Sequence, residues 1–205
     1  LPMAQAVGLE GVRFDAGKFH WLGSVMPHAH SALVAWAASG VRTIDDIRRK
    51  EVSNGASPKG SFTYTMPAMI NELLGAKLKI VAGYQGINPI FLALERGEVE
   101  TLAVTWNDFE NDKADWVRDG KVNVIVQSSP KSPTLRATPA IEDLVAGADD
   151  RALVDLLLSG NAMGRPLATT PDTPPERVAA LRAAFEAMRA DAAFREDARR
   201  SRAIV

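Results

Sequence analysis

From Gly55 to Gly75 the chain reads GASPKGSFTYTMPAMINELLG, a turn of small residues running straight into a helix. Phe62, Met66, Met69, Ile70, Leu73 and Leu74 recur at three- and four-residue steps, so one apolar stripe faces a core and the helix stops near Gly75. Lys77–Ala82, KLKIVA, follows at once as a compact strand. A helix this apolar on one side, placed directly before a strand, needs a sheet to cover it.

The same alternation runs on either side. His20–Val25 and Leu33–Ala38 read as strands, and Thr43-Ile44-Asp45-Asp46 as a threonine-capped helix running to about Lys50. Past the turn Gly83-Tyr84-Gln85-Gly86, Asn88-Pro89 opens a helix with Ile87, Ile90, Phe91 and Leu94 inward and Gly97 at its end. Thr101–Trp106 is a strand, residues 107–119 a polar helical stretch, and Val122–Gln127 a further strand. A loop containing Pro130, Pro133 and Pro139 comes next. Helices near Ala140–Ala146 and Arg151–Leu158 then lead to a short strand at Arg165–Thr169. Thr173-Pro174-Pro175-Glu176 combines a capping box with an early proline, ahead of a buried stripe of Val178, Leu181, Phe185 and Met188, and a charged helix spans Ala192–Arg202. Helix alternating with strand predicts an α/β fold with a mostly parallel sheet flanked by helices.

A chain of 205 residues buries a substantial core as one large domain or two small ones. The formal net charge of -1 provides no basic field, which argues against a nucleic-acid or anionic-membrane partner. No cysteine is present, so disulfides, thiolate metal sites and cysteine nucleophiles drop out together, a composition that fits an exported bacterial protein. No apolar run is long enough to span a bilayer.

The entry to the organising helix is the first candidate site. Gly60 lets backbone approach a ligand closely, while Ser57, Ser61 and the first amides of the helix, beginning at Phe62, point toward a carboxylate or phosphate. The helix-end field adds roughly 0.3–1 kcal/mol and each hydrogen bond to a charged group roughly 1.5–3 kcal/mol. Micromolar binding requires about 8 kcal/mol, so other groups must contribute. Two more turns leave strands on the same side of a parallel sheet: Tyr84-Gln85-Gly86, with a phenol, an amide and open backbone, and Thr105-Trp106-Asn107, with a hydroxyl, an indole and an amide. Ligands of open α/β sheets collect outside the carboxyl ends of strands. Taken singly, each turn is more often ordinary surface, and Trp106 more often core packing.

Other chemistries have weaker signals. His28-Ala29-His30 lacks a carboxylate partner for a metal site and reads as loop histidines. No segment carries a nucleotide-binding glycine signature or a nucleophile elbow. Asp112, Asp115, Trp116 and Arg118 read as a solvated helix face.

The segments GLEGVRFDAGKFHWLGS, TIDDI, SNGASPKGS, KIVAGYQGINPIFLALERGEVE, ADWVRDGKVNVIVQ and GRPLATTPDTPPERVAALRAAF occur in that order over nearly the whole chain. Together they resemble the substrate-binding receptors of tripartite tricarboxylate transporters, the TctC or Bug family. The resemblance implies a type II periplasmic-binding fold in which two α/β lobes close on a small carboxylate and hand it to membrane transporter subunits. It implies a periplasmic location, no enzymatic step and no cofactor. Ser57, Gly60 and Ser61 match the family's binding loop, and Tyr84 and Gly86 its tyrosine turn, so that backbone amides and hydroxyls grip the carboxylate. Such receptors carry further chain ahead of the segment matching GLEGVRF. The expectation is therefore an incomplete first lobe: residues 31–168 form the second lobe, and residues 1–30 and 169–205 are first-lobe remnants whose apolar surfaces, including Phe185, call for cover by self-association. Two alternatives stand beside this reading: an enzyme acting on a carboxylate or phosphate ester in the same cleft, and a sensor or interaction module outside transport.

Overall fold

A computed structural model describes residues 2–6, 8, 11–26 and 28–201. Leu9 and Glu10 of the GLEGVRF segment and Arg202 of the terminal helix lie outside them. The chain divides into two compact units, residues 30–155 and residues 1–29 with 156–205.

The unit of residues 30–155 is built on five strands: β2 (Ser31–Trp36), β3 (Val52–Ala56), β4 (Leu78–Ala82), β5 (Thr101–Thr105) and β6 (Val122–Gln127), in the order β4-β3-β5-β2-β6. β3 pairs in parallel with both β4 and β5, whereas β2 runs antiparallel to β5 and β6. Four strands therefore share one direction, as the alternation predicts, and β2 alone is reversed. It is entered from the His28–His30 segment, with no crossover helix before it, so no βαβ unit fixes its direction.

β3 has no counterpart in the sequence reading, which takes Gly55–Ser61 as a turn throughout. VSNGA lacks the β-branched and aromatic residues that mark strands, yet it lies between β4 and β5 with Asn54, Gly55 and Ala56 buried. A Cβ on Gly55 would lie 2.4 Å from Ile90 Cγ2, so the glycine lets the helix Ile87–Glu95 (α4) sit down on β3.

The helix Phe62–Leu74 (α3) packs across β3, β4 and β5 and buries Met66, Pro67, Met69, Ile70 and Leu74. α4 buries Ile90, Phe91, Ala93 and Leu94, while Ile87, expected inward, is 38% exposed at the first turn. One core cluster joins Ala32 and Val34 of β2, Leu102 and Val104 of β5, and Phe91, Trp106, Phe109 and Trp116. Trp116 belongs to it through edge-on contacts with Trp36, Phe91 and Phe109, and the Lys113 ammonium lies over its ring at 4.4 Å. The solvated face therefore holds Asp112, Asp115 and Arg118 but not the tryptophan. The polar stretch after β5 forms two short helices, Trp106–Asp112 (α5) and Ala114–Arg118 (α6).

The other unit carries a two-stranded antiparallel sheet of β1 (His20–Ser24) and β7 (Pro166–Thr169) with the helices Pro175–Ala190 (α9) and Ala192–Arg200 (α10). Because β7 pairs with β1, the boundary falls between Asp155 and Leu156, within the helix Ala148–Met163 (α8), rather than at residue 168. Phe185, expected to need cover, is buried over Gly23: a Cβ there would be 2.2 Å from Phe185 Cε1. Val178 is buried as well, but Leu181 is 42% exposed. The start of α9 also differs from expectation, since Pro174 is its N-cap and no side chain caps it. Among the described residues no helix is long and apolar enough to cross a membrane.

Candidate functional site

β4, β3 and β5 are neighbours running in one direction, so the loops after them leave the sheet at the same edge. β3 and β4 end together, with Ala56 opposite Ala82, while Gly55 is opposite Leu102, so β5 runs two residues further before its loop begins. The Ala56 carbonyl accepts from the amides of both Gly83, at 3.0 Å, and Tyr84, at 3.2 Å. The tyrosine turn is thus fastened to the base of the Ser57–Ser61 loop.

Within that loop Gly60 has φ +88°, a left-handed conformation that glycine adopts without strain. The Ser61 amide, which the sequence reading takes as open to a ligand, instead donates to the Pro58 carbonyl at 3.1 Å and closes the turn. Ser57 N–H donates to Thr63 Oγ1 at 2.9 Å, and Ser61 Oγ lies 3.0 Å from the same hydroxyl. Among the described residues the amides of Lys59, Gly60, Phe62 and Thr63 have no hydrogen-bond partner, the last two at the positive end of a thirteen-residue helix. Phe62 itself is half-buried. Lys59, exposed, supplies the loop's formal charge.

The second turn ends on Gly86, at φ +93°, which is the N-cap of α4. Gly86 N–H donates to the Tyr84 carbonyl at 3.0 Å, and Gln85 Nε2 donates to Gly83 O at 3.3 Å. Tyr84 is half-buried against the core cluster, while Gln85 and Gly86 are exposed. At the third strand end Thr105 is half-buried and its hydroxyl caps no amide of α5. Trp106 is 1% exposed and its Nε1–H donates to Thr134 Oγ1 at 2.9 Å. Its indole is a core anchor that holds the third loop in place.

Two supporting groups carried no signal in sequence. Thr63 organises the first loop from inside the helix. Asn54, fully buried in β3, donates through Nδ2 to Gly55 O at 3.0 Å and Thr63 O at 3.4 Å, and its Oδ1 accepts from Thr101 Oγ1 at 3.2 Å. The spacing of an asparagine nine residues before a threonine is unremarkable until β3 is known to be a strand.

No family model matches the chain, nor does any curated protein. Solved structures do. A TctC solute binding protein from Polaromonas superimposes with a TM-score of 0.63 at 18% identity, over 97% of this chain and 64% of that one. The fold is that of the periplasmic solute-binding proteins. An R. palustris protein with adipate has a TM-score of 0.65 at 16% identity, over 94% of this chain and 62% of its own. MatC from Rhodopseudomonas palustris with bound malate has a TM-score of 0.60 at 19% identity, over 90% and 60%. The chain thus spans about three-fifths of the length of such neighbours. They include the group that the sequence motifs resemble.

Proposed function

We propose that the protein is an extracytoplasmic receptor of the TctC/Bug type, which takes up a small organic carboxylate by lobe closure, without chemistry, for a tripartite tricarboxylate-type transporter. In this reading the unit of residues 30–155 is the core of the second lobe, and the other unit belongs to the first. The observation that carries it is the convergence of three strand ends on one edge, where the starts of α3 and α4 meet and the amides of Gly60, Phe62 and Thr63 lack partners. An acceptor-only anion suits that arrangement, because a carboxylate takes several N–H donors while the helix ends favour its charge. Ser57, Gly60, Ser61, Phe62, Tyr84, Gln85, Gly86, Thr105 and Trp106 form the proposed site, with Ser61 and Trp106 shaping it rather than presenting free donors. The adipate and malate held by two of the structural neighbours belong to the ligand class proposed.

NMR titration reads weak binding directly. Malate or adipate should shift the backbone amides of Lys59–Thr63 and Tyr84–Asn88 together, saturably, and leave β1 and β7 unmoved. Shifts scattered over the surface, or none, would remove the reading. Turnover of a carboxylate or phosphate ester would instead favour the enzyme alternative. Concentration-dependent sedimentation tests the proposed self-association.

A further inference from the structure

Pro67 stands inside α3, beyond its first turn, and is buried. In an α-helix the carbonyl of residue 63 accepts from the amide of residue 67, but proline has no N–H and its ring crowds that carbonyl. The helix ladder therefore lacks the rung that would fasten Thr63 to the turn above it. A substitute comes from the strand beneath. Asn54 Nδ2 donates to Thr63 O at 3.4 Å and to Gly55 O at 3.0 Å. Carbonyls only accept, so the amide nitrogen faces these two and the amide oxygen faces Thr101, whose hydroxyl donates to it at 3.2 Å. Asn54 is 0% exposed, and both ends of its amide are engaged. Successive residues of β3 serve opposite helices: Asn54 meets α3, and Gly55 lies under Ile90 of α4.

Resting on the carboxylate reading of this edge, we propose that Asn54 is a positioning residue of the anion site: it replaces the hydrogen bond that Pro67 removes and so holds the first turn of α3, with its unpartnered amides, in the binding orientation. Asn54 acts through Thr63 and does not itself meet the anion. Thr63 is where the loop is gathered, since its hydroxyl accepts from Ser57 N–H at 2.9 Å and lies 3.0 Å from Ser61 Oγ. The Ser61 carbonyl in turn accepts from the amides of Tyr64, at 3.1 Å, and Thr65, at 2.9 Å. Fixing the Thr63 carbonyl thus fixes the turn that carries the Phe62 and Thr63 amides. Without Asn54 the carbonyl is left buried beside a proline ring, and the turn frays toward water to satisfy it. Affinity then falls by the fraction of time the turn spends out of place. The proline and the asparagine form one device, in which the first frees the turn from the helix and the second ties it to the sheet.

The test is NMR titration with adipate of the parent, Asn54→Ala, Pro67→Ala and the double variant, read at the amides of Tyr84–Asn88, away from both substitutions. Asn54→Ala should bind about tenfold more weakly, the scale of a buried acceptor left without its donor. Pro67→Ala gives residue 67 an N–H for the Thr63 carbonyl, so the double variant should recover to within about threefold of Pro67→Ala alone. A side chain that merely fills the core cannot be rescued by truncating a second core residue. Amide exchange supplies a readout without ligand: Asn54→Ala should speed exchange at Tyr64 and Thr65 but not over residues 70–74, and the double variant should reverse it. Asn54→Ser, which loses the reach to Thr63, gives the same comparison should circular dichroism show the alanine variant unfolded. Parent-like binding by Asn54→Ala, or a double variant as weak as Asn54→Ala, would overturn the role of Asn54 and leave the carboxylate site standing. Failure of adipate to bind the parent would overturn the site and this inference together.

Discussion

Gly60 and Gly55 are the two positions where the absence of a side chain decides most. At Gly60 the left-handed backbone brings an unpartnered amide to the sheet edge. Gly60→Asn keeps that backbone accessible and adds no charge, whereas Gly60→Asp sets a carboxylate against the ligand's own. Calorimetry with a dicarboxylate should therefore show Gly60→Asp weakened at least about tenfold relative to Gly60→Asn, roughly 1.4 kcal/mol. Equal affinities would place the anion elsewhere. Gly55 serves the fold: a Cβ would meet Ile90 Cγ2 at 2.4 Å and Val99 Cγ2 at 3.2 Å. Gly55→Ala should cost about 1–3 kcal/mol in chemical denaturation, the usual range for overpacking a core. The role of Gly60 was legible from its setting before an amphipathic helix. That of Gly55 was not, because nothing local says that Ile90, thirty-five positions on, comes to rest above it.

Among the elements, the helix Ile44–Arg49 (α2) shows a sequence signal carried through intact. Thr43 accepts from the Asp46 amide, and the Asp46 carboxylate accepts from the Thr43 amide at 2.9 Å and the Arg42 amide at 3.0 Å. Thr43→Ala should lower stability by about 1 kcal/mol. The Arg42 amide first, and then the Thr43 hydroxyl and amide, hold the Asp46 carboxyl below its ordinary value. A depressed folded-state pKa stabilises the protein fully above the ordinary aspartate range, and that contribution is lost as pH falls through the folded value. Acid titration followed by amide exchange at α2 should show protection fading at the low end, and Asp46→Asn should lack that step and already be less protected at neutral pH. The matching motif at Thr173 did not become a cap, because two prolines follow it and the helix takes Pro174 as its boundary. A capping box works only where the residue at its head is the one that ends the extended backbone.

For the molecule as a whole, the division into two units predicts where a core substitution is felt. Phe185 is buried on β1 within one unit, and Phe185→Ala should cost that unit about 3–5 kcal/mol. Hydrogen exchange should rise in β1, β7 and α9, while the sheet β2–β6 keeps its protection. Acceleration spread evenly over both units would mean that they unfold as one. The unit boundary lay hidden in sequence because β1 and β7 are far apart in the chain and their pairing is a long-range choice.

The sequence by itself determined the α/β class, the periodic helices, the apolar strands and the polar turns that follow them, since each rests on local backbone preference or on a repeating apolar face. Only the tertiary structure decided that VSNGA is a central strand, that β2 runs against its neighbours, that Trp116 and Phe185 are covered, and that Asn54 bridges Thr63 and Thr101. The physical reason is the same for all four: each depends on a partner distant in the chain, and a pairing or packing energy shared between remote residues leaves no periodic trace in either segment.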